Sequence, residues 1–179
     1  MGNLFKKGEY IVYGTTGVCL VKDITTMARE DFSDGKLYYV LEPTGSVGGR
    51  ITTPVEDNKS VMRRVLSKEE AYELIDEIRA IDKLWVTDEK QRESKYKEAL
   101  RTCDCKEWIG IIKTLYLRKK DRMNHGKRLT EVDERYMRKA KENLHGELSI
   151  TLGISVTEVE QFILSQLEEE EKQENLEVQ

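Results

Sequence analysis

Apolar residues fall in short runs over the first third of the chain, a pattern typical of β-strands. Tyr10–Tyr13 and Val18–Ile24 flank a segment from Gly14 to Gly17, in which two glycines allow positive φ. This arrangement predicts a β-hairpin. Pro54 would end a later strand or place it at a sheet edge, because proline cannot donate to a strand ladder. Three further runs rich in Val, Ile, Tyr or Leu predict strands at Lys36–Glu42, Arg50–Thr53 and Val61–Val65.

The hydrophobic period changes to that of helices after residue 66. Ser67 and Glu70 form the pattern of a capping box that begins the first helix. A second helix is predicted over residues 88–102, and later helices begin near Asp104, Thr130 and Ser155. The predicted class is α+β, with a small SH3- or Tudor-like β-barrel domain at residues 1–66 and an all-helical domain at 67–170. An acidic and polar tail at 171–179 is expected to fray into solvent.

Charge is strongly segregated along the chain, although the net charge is only −4. Residues 1–89 carry 12 basic and 16 acidic side chains, residues 90–145 carry 17 and 9, and residues 146–179 carry 1 and 9. A basic middle segment in an acidic protein attracts phosphates locally without coating nucleic acid indiscriminately. A solvated, lysine-rich helical face is the alternative interpretation of the same residues.

The polar residues give no pattern of a catalytic or metal site. Cys103 and Cys105 are separated by one residue with no nearby histidine, which is poor spacing for zinc. His125 and His145 form no constellation with a nucleophile. We therefore predict a protein that is not an enzyme and binds no cofactor or metal; an enzyme using Cys103 or Cys105 is the alternative.

Composition also bears on location. No run approaches the roughly 20 apolar residues of a membrane span. The first residues lack the apolar core of a secretory leader, and three irregularly spaced cysteines do not form a disulfide framework. A cytoplasmic protein without membrane contact is expected, and the sequence does not predict whether it dimerises.

Basic residues lie close to an aromatic residue at the start of the helical half. Lys90, Arg92, Lys95 and Lys97 fall within three turns, shortly after Trp85. Cations neutralise phosphates, and an aromatic side chain can press on an opened base step. Packing is the alternative for each tryptophan: it is preferred for Trp108, within an apolar stripe, and also for Trp85, because Leu84 and Val86 flank it.

Six segments of the chain form an ordered series: Gly8–Val18, Tyr38–Leu41, Ile51–Pro54, Ser94–Leu100, Ile111–Arg118 and Lys139–Leu148. In this order they resemble the bacterial CarD/CdnL family, whose N-terminal module also occurs in the transcription-repair coupling factor. The resemblance covers nearly all of residues 5–165.

The resemblance implies a Tudor-like domain that docks on the β subunit of bacterial RNA polymerase and a helical domain that contacts promoter DNA. Polymerase binding is expected at Arg50, Ile51, Thr52, Thr53 and Pro54. DNA contact, mainly to phosphates and without sequence preference, is predicted for basic residues of the helical half, and Trp85 is a candidate wedge. The predicted DNA-binding residues are Lys90, Arg92, Lys95, Lys97, Arg118, Arg135 and Lys139.

In some relatives the wedge tryptophan lies three residues before the residue matching Lys95, a position that Arg92 occupies here. The resemblance therefore does not transfer the wedge role to Trp85. The alternative function is a protein–protein adaptor whose basic helices bind an acidic partner instead of DNA.

Overall fold

The computed structural model describes residues 4–26, 35–56 and 59–177. The chain forms two compact units. The β unit comprises Met1–Val65 together with Arg101–Cys103, and the helical unit comprises Leu66–Leu100 together with Asp104–Gln179.

The β unit contains one antiparallel sheet in the order β4-β3-β2-β1-β5. A 3₁₀ turn at Gly14–Thr16 joins the first two strands, and positive φ values of 47° at Gly14 and 93° at Gly17 make the hairpin possible, as predicted. The strands are β1 Tyr10–Tyr13, β2 Gly17–Thr26, β3 Leu37–Pro43, β4 Ile51–Pro54 and β5 Met62–Arg64. The predicted strands are all present, each displaced by at most two residues at an end.

The core of the β unit is formed by residues that alternate along β1, β2 and β3. Ile11, Cys19, Val21, Tyr39 and Leu41 are buried together, and Phe5 and Ile51 are among the partly buried residues packed against them. The Tyr39 hydroxyl accepts a hydrogen bond from the Phe5 backbone N–H at 2.9 Å. One register shift between Val21 and Asp23 marks a bulge in the β2–β3 ladder.

Five α-helices follow, and their starts match the capping signals. Ser67 and Glu70 form the predicted reciprocal capping box, and Asp104 and Thr130 each accept a hydrogen bond from a first-turn N–H. The helices are α1 Lys68–Glu77, α2 Arg92–Arg101, α3 Cys105–Asn124, α4 Glu131–Leu152 and α5 Val156–Glu177. A sheet followed by helices confirms the predicted α+β class.

Two local predictions differ from the structure. The second predicted helix begins as a 3₁₀ turn at Glu89–Gln91, with α2 following it. The tail at 171–179 was expected to fray, but α5 continues through it as far as Glu177. That stretch contains Glu, Gln, Lys, Leu and Asn but no glycine or proline, so nothing in it stops a helix.

The core of the helical unit lies where α3 packs on α4. Trp108, Ile111 and Leu115 of α3 and Leu148 of α4 are completely buried. The prediction that Trp108 is a core residue is thus confirmed.

A buried carboxylate fixes the start of the helical unit. Glu147 accepts hydrogen bonds from the Leu66 N–H at 2.8 Å and from the Cys105 thiol at 3.1 Å. The hydroxyl of Thr151 donates to the Leu66 carbonyl at 3.0 Å. Both backbone polar groups of Leu66 are therefore satisfied by side chains of α4.

Within the described residues, we find no helix that combines the length and the apolar character needed to cross a membrane.

Replacing Trp108 by alanine should lower the free energy of unfolding by about 3–5 kcal/mol, because it leaves a large cavity in the helical core. The melting temperature should fall by roughly 6 °C or more. Thermal denaturation followed by circular dichroism measures this. Trp85→Ala is the matched control, because its side chain is 81% exposed, and a melting temperature equally lowered in both variants would contradict the assignment.

Candidate functional site

The first candidate surface is the edge strand β4. It lies at the end of the strand order, and β3 is its hydrogen-bonded neighbour within the described sheet, with Thr52 opposite Val40. Proline ends the strand at position 54, as predicted for an edge. An edge of this kind can pair with a strand from another chain through main-chain hydrogen bonds.

Side chains of β4 divide between the core and the outer face. Thr53 is buried and accepts a hydrogen bond from the Tyr13 hydroxyl at 3.2 Å, and Ile51 packs against the core. Because side chains alternate along a strand, Arg50 and Thr52 lie on the opposite face, where Arg50 is exposed. The structure thus separates the five predicted polymerase-binding residues into those that support the fold and those that face outward.

A residue that sequence reasoning missed lies beside this edge. Val47 is fully exposed in the turn that joins β3 to β4. Its exposure could have been predicted from the sequence, because an apolar residue in a turn of glycines and serine has no core to cover it.

The second candidate surface is the Trp85 loop, residues 82–88 between the helical segments. Trp85 is 81% exposed, so the prediction that it packs between helices is wrong. Its neighbour Leu84 takes the inward position, and the Leu84 N–H donates to the Thr114 hydroxyl at 2.8 Å. A Cβ atom at Gly110 would lie 3.3 Å from the Asp82 carbonyl oxygen and 3.4 Å from Leu84 Cδ2, so this glycine admits the loop close to α3.

The beginning of the loop is anchored by a lysine of α3. Lys113 Nζ donates to the carbonyl oxygens of Ile78 and Ile81 and lies 3.4 Å from that of Arg79. These carbonyls belong to the 3₁₀ turn Ile78–Ala80 and the residue after it, and that of Ile78 also accepts from the Ile81 N–H at 3.3 Å. The charged amine therefore fixes the point at which the chain leaves α1.

The end of the loop is anchored by an arginine. Arg118 donates to both carboxylate oxygens of Glu89, at 2.7 and 3.1 Å, and through Nε to Asp133 at 2.8 Å. Its side chain is 17% exposed and that of Asp133 only 2%. The hydrogen bond from Arg118 lowers the pKa of the Glu89 carboxyl. Burial alone would lower the pKa of the Arg118 guanidinium, but its contacts with Asp133 and Glu89 outweigh this effect and the pKa is raised.

Arg92 belongs to the same network. It donates to the Tyr96 hydroxyl at 2.8 Å and to Glu89 at 3.2 Å. Burial raises the pKa of Tyr96, so this hydroxyl remains protonated and accepts from the arginine. DNA contact was predicted for Arg92 and Arg118, and in the structure their guanidinium groups are engaged in internal ion pairs.

The other predicted DNA-binding residues are more accessible. Lys90 and Lys97 are exposed, and Lys95 is 48% exposed with Glu98 at 3.8 Å. Lys95 and Lys97 lie about 200° apart around α2, so they do not share one face. On α4, Arg135 pairs with Glu93 at 2.8 Å, and Lys139 is half-buried.

The part of the chain that the structure describes contains no metal-binding cluster, and its two neighbouring cysteines are buried. Residues 4–26, 35–56 and 59–177 include no group of three His, Cys, Asp or Glu side chains that could hold a metal ion. Cys103 is 0% and Cys105 4% exposed. Buried thiols are poorly placed for nucleophilic attack on a substrate, because the reactive form must be accessible.

Comparison with known proteins identifies the first unit. Residues 5–66 match the family described as the CarD-like/TRCF RID domain. A search of curated proteins found no match to the chain. The matched residues comprise the five strands and end at Leu66, whose peptide groups are bound by Glu147 and Thr151. Residues 5–66 are therefore similar to the CarD-like/TRCF RID domains, a family of RNA polymerase-interacting domains.

Proposed function

We propose that this protein is a non-enzymatic regulator of transcription initiation that docks on the β subunit of bacterial RNA polymerase and contacts promoter DNA. The observation that carries the proposal is an 81% exposed tryptophan on a loop anchored at both ends. An exposed, rigidly presented aromatic side chain beside cations suits an opened base step, where it replaces the stacking of the separated bases. The protein would thereby stabilise the open promoter complex.

The docking part of the proposal rests on the CarD-like/TRCF RID match and on β4. A polymerase strand would pair with β4, with Arg50 and Thr52 on the outer face touching its flanking side chains. Main-chain pairing supplies affinity, and these outward side chains supply specificity.

The DNA-contacting part rests on exposed cations that follow the Trp85 loop in sequence. Lys90, Lys95 and Lys97 would neutralise phosphates, which gives affinity without base readout. Binding to polymerase raises the effective concentration of the helical unit near the promoter. Tethering of this kind explains how a chain with a net charge of −4 acts on DNA.

Combined Arg50→Glu and Thr52→Glu substitutions should weaken binding of the full chain to core polymerase roughly tenfold, because two carboxylates then face the docking strand. Ile51 is avoided because its side chain supports the core. Lys59→Glu, an exposed charge reversal elsewhere in the same unit, is the control. Equal affinity of a folded double variant and the parent chain would remove this strand from the interface.

Alanine at Lys90, Lys95 and Lys97 should reduce the salt dependence of duplex DNA binding. For each phosphate that the variant no longer neutralises, the slope of log K against log salt should become shallower by about 0.9. Fluorescence anisotropy at several salt concentrations measures the slope. Alanine at Lys6 and Lys59, two exposed lysines of the β unit, should leave it unchanged. An unchanged slope in the triple variant would favour the adaptor that binds an acidic protein.

The decisive experiment is Trp85→Ala. Because the side chain is exposed, the variant should keep its melting temperature and its affinity for polymerase. It should shorten the lifetime of the open complex roughly tenfold, since stacking on one base contributes about 1–3 kcal/mol. Lifetimes are read by challenging preformed complexes with a competitor. A lifetime equal to that of the parent protein would exclude the wedge.

A further inference from the structure

The Trp85 loop and α3 line an open surface depression of about 470 Å³ on the helical unit. Leu84, Val86 and Leu117 supply apolar walls, Trp85 forms part of the rim, and Asp121 adds a carboxylate. Leu117 is 49% exposed although it is a large apolar residue of a helix. The site is therefore a partly apolar surface with polar groups around it.

The walls of the depression are fixed in place by the contacts that anchor the loop. Arg118 lines it and is held by Glu89 and Asp133, and Thr114 lines it and accepts from Leu84. A site with walls held by ion pairs and hydrogen bonds loses little conformational entropy when it is occupied. The depression is thus preformed.

We infer that this depression receives an unpaired nucleobase displaced by Trp85 at the edge of melted DNA. This inference rests on the proposed function and adds a ligand to the same surface. A base has flat apolar faces and a polar edge, which matches leucine and valine walls with a carboxylate beside them. The Asp121 carboxylate, 3.8 Å from the nearest His125 nitrogen and 75% exposed, is placed to accept from an exocyclic amine such as those of adenine and cytosine. The exposed cation of Lys83, also at the depression, suits the phosphate that follows the base.

The alternative occupants are a peptide segment of polymerase and solvent alone. The closeness of the depression to Trp85 favours a base, because a wedge that unstacks one base creates the group that needs a new apolar environment.

The test uses the full chain with polymerase and promoter DNA in which photoreactive bases are placed singly along the edge of the bubble. The crosslink from at least one position should map by mass spectrometry to residues of the depression. Leu117→Gln should reduce that crosslink and shorten the open complex roughly fivefold, since it removes an apolar wall. Leu164→Gln is the matched control, because Leu164 is 50% exposed on α5 and lies outside the depression.

The outcomes separate the two ideas. If Trp85→Ala shortens the open complex while Leu117→Gln behaves like Leu164→Gln and no base crosslinks to the depression, the inference is wrong and the proposed function stands. If Trp85→Ala leaves the lifetime of the open complex unchanged, both the inference and the proposed function are wrong. If Leu117→Gln shortens the open complex but no base crosslinks to the depression, the occupant is a polymerase peptide and the inference is overturned.

Discussion

The ion-pair group of Arg118 with Glu89 and Asp133 is the interaction on which the Trp85 loop depends. One guanidinium satisfies a buried aspartate of α4 and a glutamate of the 3₁₀ turn that follows the loop. The Asp133 side chain is only 2% exposed, so removing Arg118 would leave a buried carboxylate without this partner, which is costlier than never burying it. Glu89 is 65% exposed, and water can replace its partner. The buried Arg118–Asp133 pair therefore fixes the guanidinium that Glu89, at the end of the loop, binds.

The contacts around the loop also explain why Trp85, the middle residue of the apolar triplet Leu84–Val86, faces solvent. Three consecutive apolar residues cannot all point inward from an extended segment. Leu84 occupies the inward place because Gly110 leaves room for it and Thr114 binds its N–H. Once Leu84 is fixed, extended geometry directs Trp85 outward.

Local signals in the sequence predicted much of the fold. Ser67 with Glu70, Asp104 and Thr130 marked helix starts, and Pro54 marked an edge strand, because each of these effects operates within a few residues. Trp85 could not be placed in this way, since its exposure depends on Gly110 and Thr114, far along the chain. The internal ion pairs of Arg92 and Arg118 could not be predicted for a similar reason: counting cations does not reveal which guanidinium groups meet a carboxylate after folding.

The tripeptide Arg101–Cys103 affects whether the N-terminal domain can be transferred intact to another protein. Although it starts at the last residue of α2, it belongs to the β unit. Its Cys103 has a φ of 57°, its thiol reaches the Gly14 carbonyl at 3.1 Å, and its own carbonyl accepts from Arg63 Nε at 2.7 Å. A gene fusion that transferred only residues 5–66 to another protein would carry Arg63 and Gly14 without these partners. The protein that receives residues 5–66 would have to supply an equivalent tripeptide from its own chain. The structural domain is therefore larger than the contiguous segment that sequence comparison recognises.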